Sequence, residues 1–242
     1  MKSRRIGEEE ARSVSAGQDQ GGQILSKQRT LTKQRALAPT ERMTQAERVA
    51  LSDQRMFDAA IELIIQHGTQ GTTLKAIGEL AGYSRGLANS RFGSKEIFLR
   101  DLFMRFDSRW KFFLRSYTDN KTGIQAVQAA ITALREFIRS EPTYMRAMYI
   151  LWYESLGPAS EIRTRLATNH NSYRKDASRW IREGIENGDI DPAINPEQFA
   201  VQYCSFIFGT VYQWLVDAEA LDLDEVFAHY EQAIIKLLSN RS

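Results

Sequence analysis

The sequence predicts an all-α fold, and three observations carry that prediction. Apolar residues recur at three- and four-residue spacing over long stretches. Helix start signals are distributed along the chain from residue 44 onward. Alternating β-branched runs bounded by hairpin turns such as Asn-Gly are missing, so almost no strand is expected.

The elements follow in order. Thr44 with Glu47 three positions later has the pattern of a capping box, in which each residue satisfies a free amide of the other. Val49, Met56, Phe57, Ala60, Ile61, Ile64 and Ile65 then repeat at helical spacing up to His67 and Gly68, which predicts a long first helix and its stop. Thr73 is placed to cap a short helix from Leu74 to Ala81, Gly82 to take the left-handed residue that ends it, and Ser84 to cap another that reaches Phe92. Ser94, Thr122, Pro142, Pro158, Asn195 and Asp222 each open a further helix. Gly188 to Asn195, with Asp189, Asp191 and Pro192, reads as the one long turn among them.

Composition removes several classes of function. With 242 residues, 43% of them hydrophobic, the chain can bury a sizeable core. Its longest apolar stretch, Tyr203 to Val216, is interrupted by Ser205, Thr210 and Gln213. That falls short of the roughly 20 residues a bilayer demands, so no membrane partner is expected. Lys and Arg near Met1 have no apolar run behind them, so a secretory signal is not expected and the cytoplasm is the expected location. A single cysteine, Cys204, allows no internal disulfide and leaves too few thiols for a structural zinc site. His67, His170 and His229 fall in separate elements, and neither a phosphate-binding glycine loop nor a nucleophile elbow occurs. No catalytic residue, metal or cofactor is therefore expected.

Charge is distributed unevenly although the net value is only +2. Residues 1–42 carry nine basic and five acidic side chains, lack apolar periodicity and are expected to form a disordered basic arm. Residues 116–242 carry twelve basic and seventeen acidic ones. Between them, residues 80–95 hold Arg85, Arg91 and Lys95 and no carboxylate, a window where a polyanion meets no repulsion.

Two short helices joined by a tight turn containing Gly82 make the pattern of a helix-turn-helix. Leu74, Ile77, Ala81, Tyr83, Leu87 and Phe92 are expected to pack inward. Outside remain Arg85 with Asn89, Gly86 with Ser90, and Arg91. Such a face suits a major groove: Arg pairs with guanine, Asn with adenine, Ser with either, and Gly lets the helix approach closely. The helix starts at Thr73 and Ser84 offer amides to phosphate, and Lys95 adds a point charge.

The stretch TTLKAIGELAGYSRGLANSRFGSKEIFLRDL, from Thr72 to Leu102, resembles the DNA-binding domain of the TetR family of regulators. The Gly-Tyr-Ser-Arg-Gly turn and the Phe-Gly-Ser-Lys-Glu opening of the next helix carry the likeness, over roughly 55 residues with the first helix included. The resemblance implies that Thr73, Ser84, Arg85, Gly86, Asn89, Ser90, Arg91 and Lys95 contact double-stranded operator DNA. It also implies a three-helix DNA-binding domain over 43–98, followed by a helical ligand-binding and dimerisation domain over 99–242. The family often has aromatic residues, commonly tyrosine, where this chain has Asn89 and Ser90, so contacts made by those rings are not carried over.

In the C-terminal domain, Trp110, Phe113, Met145, Met148, Tyr149, Trp152, Tyr153, His170, Tyr173 and Phe208 offer aromatic and thioether groups suited to a mainly apolar ligand cavity. Core packing alone also accounts for each of them singly. Phe199 to Val216 presents Phe206, Ile207, Val211, Trp214 and neighbours almost all round a helix. With Tyr230 and Ile234 of the last helix they are expected to form a four-helix interface between two copies. The expected function is that of a homodimeric repressor released from a palindromic operator by a small effector, which shifts the helix beginning at Ser94 and with it the distance between the two reading heads. The alternative is a helical ligand-binding or scaffold protein that does not touch DNA.

Overall fold

The computed structural model describes residues 43–157 and 161–239, with the side chain of Arg85 excepted. The expected basic arm over 1–42 and the start signal at Pro158 lie outside the described residues. Two units meet at Arg48 and Val49. In the first, Thr44 N–H donates to Glu47 Oε2 at 2.6 Å and Glu47 N–H donates to Thr44 Oγ1 at 3.2 Å, which completes the expected capping box.

Among the described residues there are nine α-helices and no strand. They are α1 (Gln45–Gly71), α2 (Leu74–Leu80), α3 (Arg85–Phe92), α4 (Lys95–Thr118) and α5 (Gly123–Ser140), then α6 (Pro142–Glu154), α7 (Glu161–Glu186), α8 (Pro196–Val216) and α9 (Leu223–Ser239). The helix starts follow the capping chemistry unevenly. Ser94 Oγ accepts from Ile97 N–H at 3.2 Å, Asn195 Oδ1 from Gln198 N–H at 3.0 Å, and Asp222 Oδ1 from Glu225 N–H at 3.2 Å. Thr122 makes no capping bond; its hydroxyl accepts from Asn187 Nδ2 at 3.2 Å instead, tying the start of α5 to the end of α7. The first helix is broken at its expected stop, where Gly68 is non-helical, and a separate turn follows to Gly71.

Within Val49–Ser242 the packing is continuous. α2 packs on α3, α3 on α4, and α4 on α5 and α7. α5 also contacts α6, α7 and α9, α6 packs on α7, and α8 lies against both α7 and α9. α4 serves both ends of this stack and contains the expected domain boundary at 98/99. At its start, Phe98 stacks on Phe57 with ring centres 4.9 Å apart and meets Phe92 edge-on at 4.7 Å. Two turns later Phe106 meets Phe137 at 6.0 Å and Trp152 at 5.5 Å. One helix face thus belongs to two aromatic clusters.

Phe98 is fully buried between those rings. Its replacement by Ala should destabilise the fold by about 3–5 kcal/mol, the usual cost of emptying an aromatic site in a packed core. A urea unfolding curve measures it, and a loss below about 1 kcal/mol would contradict the packing described.

Candidate nucleic-acid interface and ligand cavity

The turn between α2 and α3 is built from the backbone. Ala81 caps α2 in a right-handed conformation, and Gly82 takes φ 80°, a left-handed conformation that favours glycine. Gly82 N–H then donates to Glu79 O at 3.1 Å and Tyr83 N–H to Gly78 O at 2.9 Å, the paired bonds of a Schellman motif. Four residues therefore separate Leu80 from Arg85, with few backbone groups left loose. Leu74, Ile77 and Ala88 are buried where the helices meet, while Ala81, Tyr83, Leu87 and Phe92 are half-buried around them. Ala88 had no expected role. Its signal was its place on the same helix face as Leu87 and Phe92.

The expected contact residues divide into two groups. Ser84, Gly86, Asn89 and Ser90 are exposed on one side of α3, and a side chain built on Gly86 would meet nothing within 4 Å. Ser84 makes no capping bond with its hydroxyl, contrary to expectation, so that hydroxyl is not committed to the helix start. Thr73 does cap, accepting from Ala76 N–H at 3.1 Å, and is exposed. The second group is already engaged. Arg91 donates to Asp53 Oδ1 at 2.8 Å, and Lys95 Nζ donates to Thr69 O at 3.0 Å and Gln70 O at 3.4 Å. The window free of carboxylates in the sequence thus has a carboxylate beside it in space, brought by α1 from 38 residues away.

A second feature lies among α4 to α8. A cavity of about 80 Å³ is walled by Phe106, Trp110, Met145, Tyr149, Trp152 and Phe208, with Tyr173, Trp180, Cys204 and Ile207 completing much of its surface. Six of the ten ligand candidates line it, and Tyr153 is exposed against Tyr212. Phe113 instead meets Phe137 at 5.3 Å, Met148 is fully buried in the core, and His170 stands behind Phe208, stacked on its ring at 4.6 Å. Phe106, Trp180 and Cys204 were not expected as lining residues, because they come from three helices that only the fold brings together.

Polar groups near the cavity are few and mostly neutral. Trp152 Nε1 and His170 Nε2 are buried without a hydrogen-bond partner. Burial pushes the Tyr149 hydroxyl well above the usual phenol value, and burial together with the charge of Asp107 does the same for Tyr173. Burial raises the Cys204 thiol to about 11. Burial, aided by the positive charge of Arg174, lowers the imidazole of His170 from its ordinary 6.5. Asp176 is the one carboxylate in the lining, 3.6 Å from Arg179.

The sequence-expected dimer residues are also distributed unevenly. Val211 and Ile234 are buried within their own chain, where α8 packs on α7 and α9, and α9 on α5 and α8. Phe206 stacks on Tyr230 with ring centres 3.5 Å apart, and Phe206, Ile207, Trp214 and Tyr230 are half-buried. The openly exposed apolar residues of these helices are Val201, Tyr212, Val216 and Leu237.

A short helix set on its neighbour by a glycine turn, on a helical body with an aromatic cavity, is the arrangement of a helix-turn-helix fold. Residues 57–102 match the family described as bacterial regulatory proteins, tetR family. The HTH-type transcriptional regulator SrpR of Pseudomonas putida is 23% identical over 162 residues, 67% of this chain and 74% of SrpR. NalD, the secondary repressor of the MexAB-OprM multidrug efflux pump in Pseudomonas aeruginosa, superposes with a TM-score of 0.66 at 16% identity, covering 80% of this chain and 98% of NalD. The complex of SmeT, a Stenotrophomonas maltophilia repressor, with triclosan gives 0.63 at 22% identity, covering 76% of this chain and 90% of SmeT. Over residues 57–102 the chain is thus similar to the DNA-binding region of the TetR family of regulators.

His170 generates a prediction. The unfolded chain takes up a proton near the ordinary 6.5 before the folded chain does, so this residue costs nothing above that pH and subtracts stability as pH falls below it. Between pH 7 and pH 5 the urea midpoint of His170→Gln should therefore fall less than that of the wild type, and equal falls would contradict the buried setting.

Proposed function

We propose that this chain is a homodimeric repressor that reads a palindromic operator with the outer face of α3 and is released by a small, mainly apolar ligand. The observation that carries the reading is the division of α3. Ala88 is buried against α2, while Gly86, Asn89 and Ser90 face outward, and the helix contains no acidic residue.

Residues 43–98 form the reading head in this proposal, and residues 99–242 hold the ligand and the partner. Arg85, by its position at the start of α3, and Asn89 and Ser90 contact base edges, while Gly86 permits close approach. Thr73, Ser84, Arg91 and Lys95 serve phosphate, Arg91 being aimed by Asp53. The ligand enters the aromatic cavity and offers an acceptor to Trp152 Nε1, the donor left without a partner there. At about 80 Å³ the space suits only a small group, so a larger ligand has to part its walls. NalD is described as a repressor and SmeT is seen with triclosan, and both share the fold. Dimerisation uses Val201, Tyr212 and Val216 on α8 and Leu237 on α9, spaced along one side of each helix.

Selection of bound duplexes from a random pool tests the reading. The wild type should yield a two-fold symmetric site whose affinity falls steeply with salt. Asn89→Ala should lose about 1–3 kcal/mol of discrimination at one position in each half-site while binding unrelated duplexes as before. A well-folded wild type that binds no duplex in dilute buffer contradicts the proposal. Leu237→Glu with Val216→Glu should turn a dimer into a monomer in sedimentation; an unchanged dimer places the interface elsewhere.

A further inference from the structure

The kink in α1 leaves a backbone donor that the helix itself does not satisfy. Gly68 adopts φ 67° and ψ 177°, which turns Thr69 N–H off the helical ladder and begins a separate short turn. That turn is closed by Thr72 N–H donating to Thr69 O at 3.2 Å and by Thr72 Oγ1 donating to Gly68 O at 2.8 Å. The acceptor that Thr69 N–H meets is Glu154 Oε2, 2.7 Å away and 85 residues further along the chain. A carboxylate on the free amide at the start of a turn is a charge-assisted bond, stronger than a neutral one. The positive φ favours glycine at 68, and a side chain there would bring its first carbon within 2.6 Å of Glu154 Oε1 and push the carboxylate aside.

The same turn is held on its carbonyl side by Lys95, which donates to Thr69 O and Gln70 O. Residues 68–71 are thus gripped by the last residue of α6 and the first residue of α4. They lead through Thr72 directly to Thr73, the cap of α2. At the other end of the connection, α6 supplies Met145, Tyr149 and Trp152 to the cavity. Trp152 stands two residues before Glu154 and carries the unpartnered Nε1. Within one helical turn, a shift that re-seats Trp152 is passed to Glu154 with little loss.

Building on the reading of this chain as a ligand-responsive repressor, we propose that Glu154 is a positioning residue that couples the cavity to the reading head. While its carboxylate holds Thr69 N–H, the 68–71 turn keeps α2 and α3 in their DNA-reading orientation. A ligand that fills the cavity displaces Trp152, withdraws the carboxylate and releases the turn. The coupling works because the ligand distinguishes the two positions of α6.

Amide hydrogen exchange on the full chain without DNA tests the contact itself. Glu154→Ala should speed exchange at residues 69–71 about ten-fold and leave the core of α1 unchanged, and Glu154→Gln, which keeps a neutral acceptor, should restore part of the protection. No change at 69–71, or an equal rise throughout the chain, overturns the proposal. Filling the cavity from within stands in for a ligand: Ala130→Leu should speed exchange at 69–71 at least three-fold, with Ile207→Phe from another wall used if the first variant does not fold. A folded variant that leaves 69–71 unchanged overturns the link to the cavity. On the duplex selected by the wild type, Glu154→Ala should weaken binding at least three-fold. Faster exchange at 69–71 with unchanged duplex affinity overturns the coupling but leaves DNA reading intact. A wild type that binds no duplex removes the proposed function and the coupling with it, while the exchange result still decides the hydrogen bond.

Discussion

The close seating of α3 on α2 is the constraint on which the rest of the structure depends. Gly82 reverses the chain at a left-handed residue, the Schellman bonds secure it, and Ala88 is sealed beneath. Only with that face buried does the opposite face, with Gly86, Asn89 and Ser90, stand outward in a fixed direction. A longer turn or a larger inner residue would leave the polar face on a helix of no defined aim. The aromatic cluster of Phe57, Phe92 and Phe98 then fixes this pair of helices to α4.

α4 gives the head a shared element with the body. Its start is packed against Phe57 and Phe92 and its middle against Phe137 and Trp152, so one helix joins the two regions. A rigid helix alone passes on whatever rotation reaches it. The contact from Glu154 to Thr69 adds a second point of attachment, and in the proposed coupling the two together turn a small change in α6 into a tilt.

Much of this was legible in the sequence because its causes are local. The capping box at Thr44, the caps at Thr73, Ser94 and Asn195, and the turn at Gly82 each follow from residue types a few positions apart. The outward polar face of α3 was legible for the same reason. What escaped the sequence was set by distance along the chain. Asp53 approaches Arg91 from another helix, Lys95 closes on carbonyls of α1 instead of standing free, and Glu154 reaches back 85 residues. The cavity was half legible: aromatic richness marked Trp110, Tyr149 and Trp152, but nothing local separates a wall residue from a core residue such as Met148. Val211 and Ile234 fell inside the chain because a helix apolar on most sides gives no sign of which side its own fold will cover.

The most direct test of the account is a photocrosslinker placed at Ser90 and exposed to light in the presence of a duplex selected by the wild type, with a second crosslinker at the exposed Glu186 at the end of α7 as reference. The account predicts efficient crosslinks from position 90 to bases within each half-site and none from position 186. Equal or absent crosslinking from position 90 would contradict the claim that the outer face of α3 enters the groove.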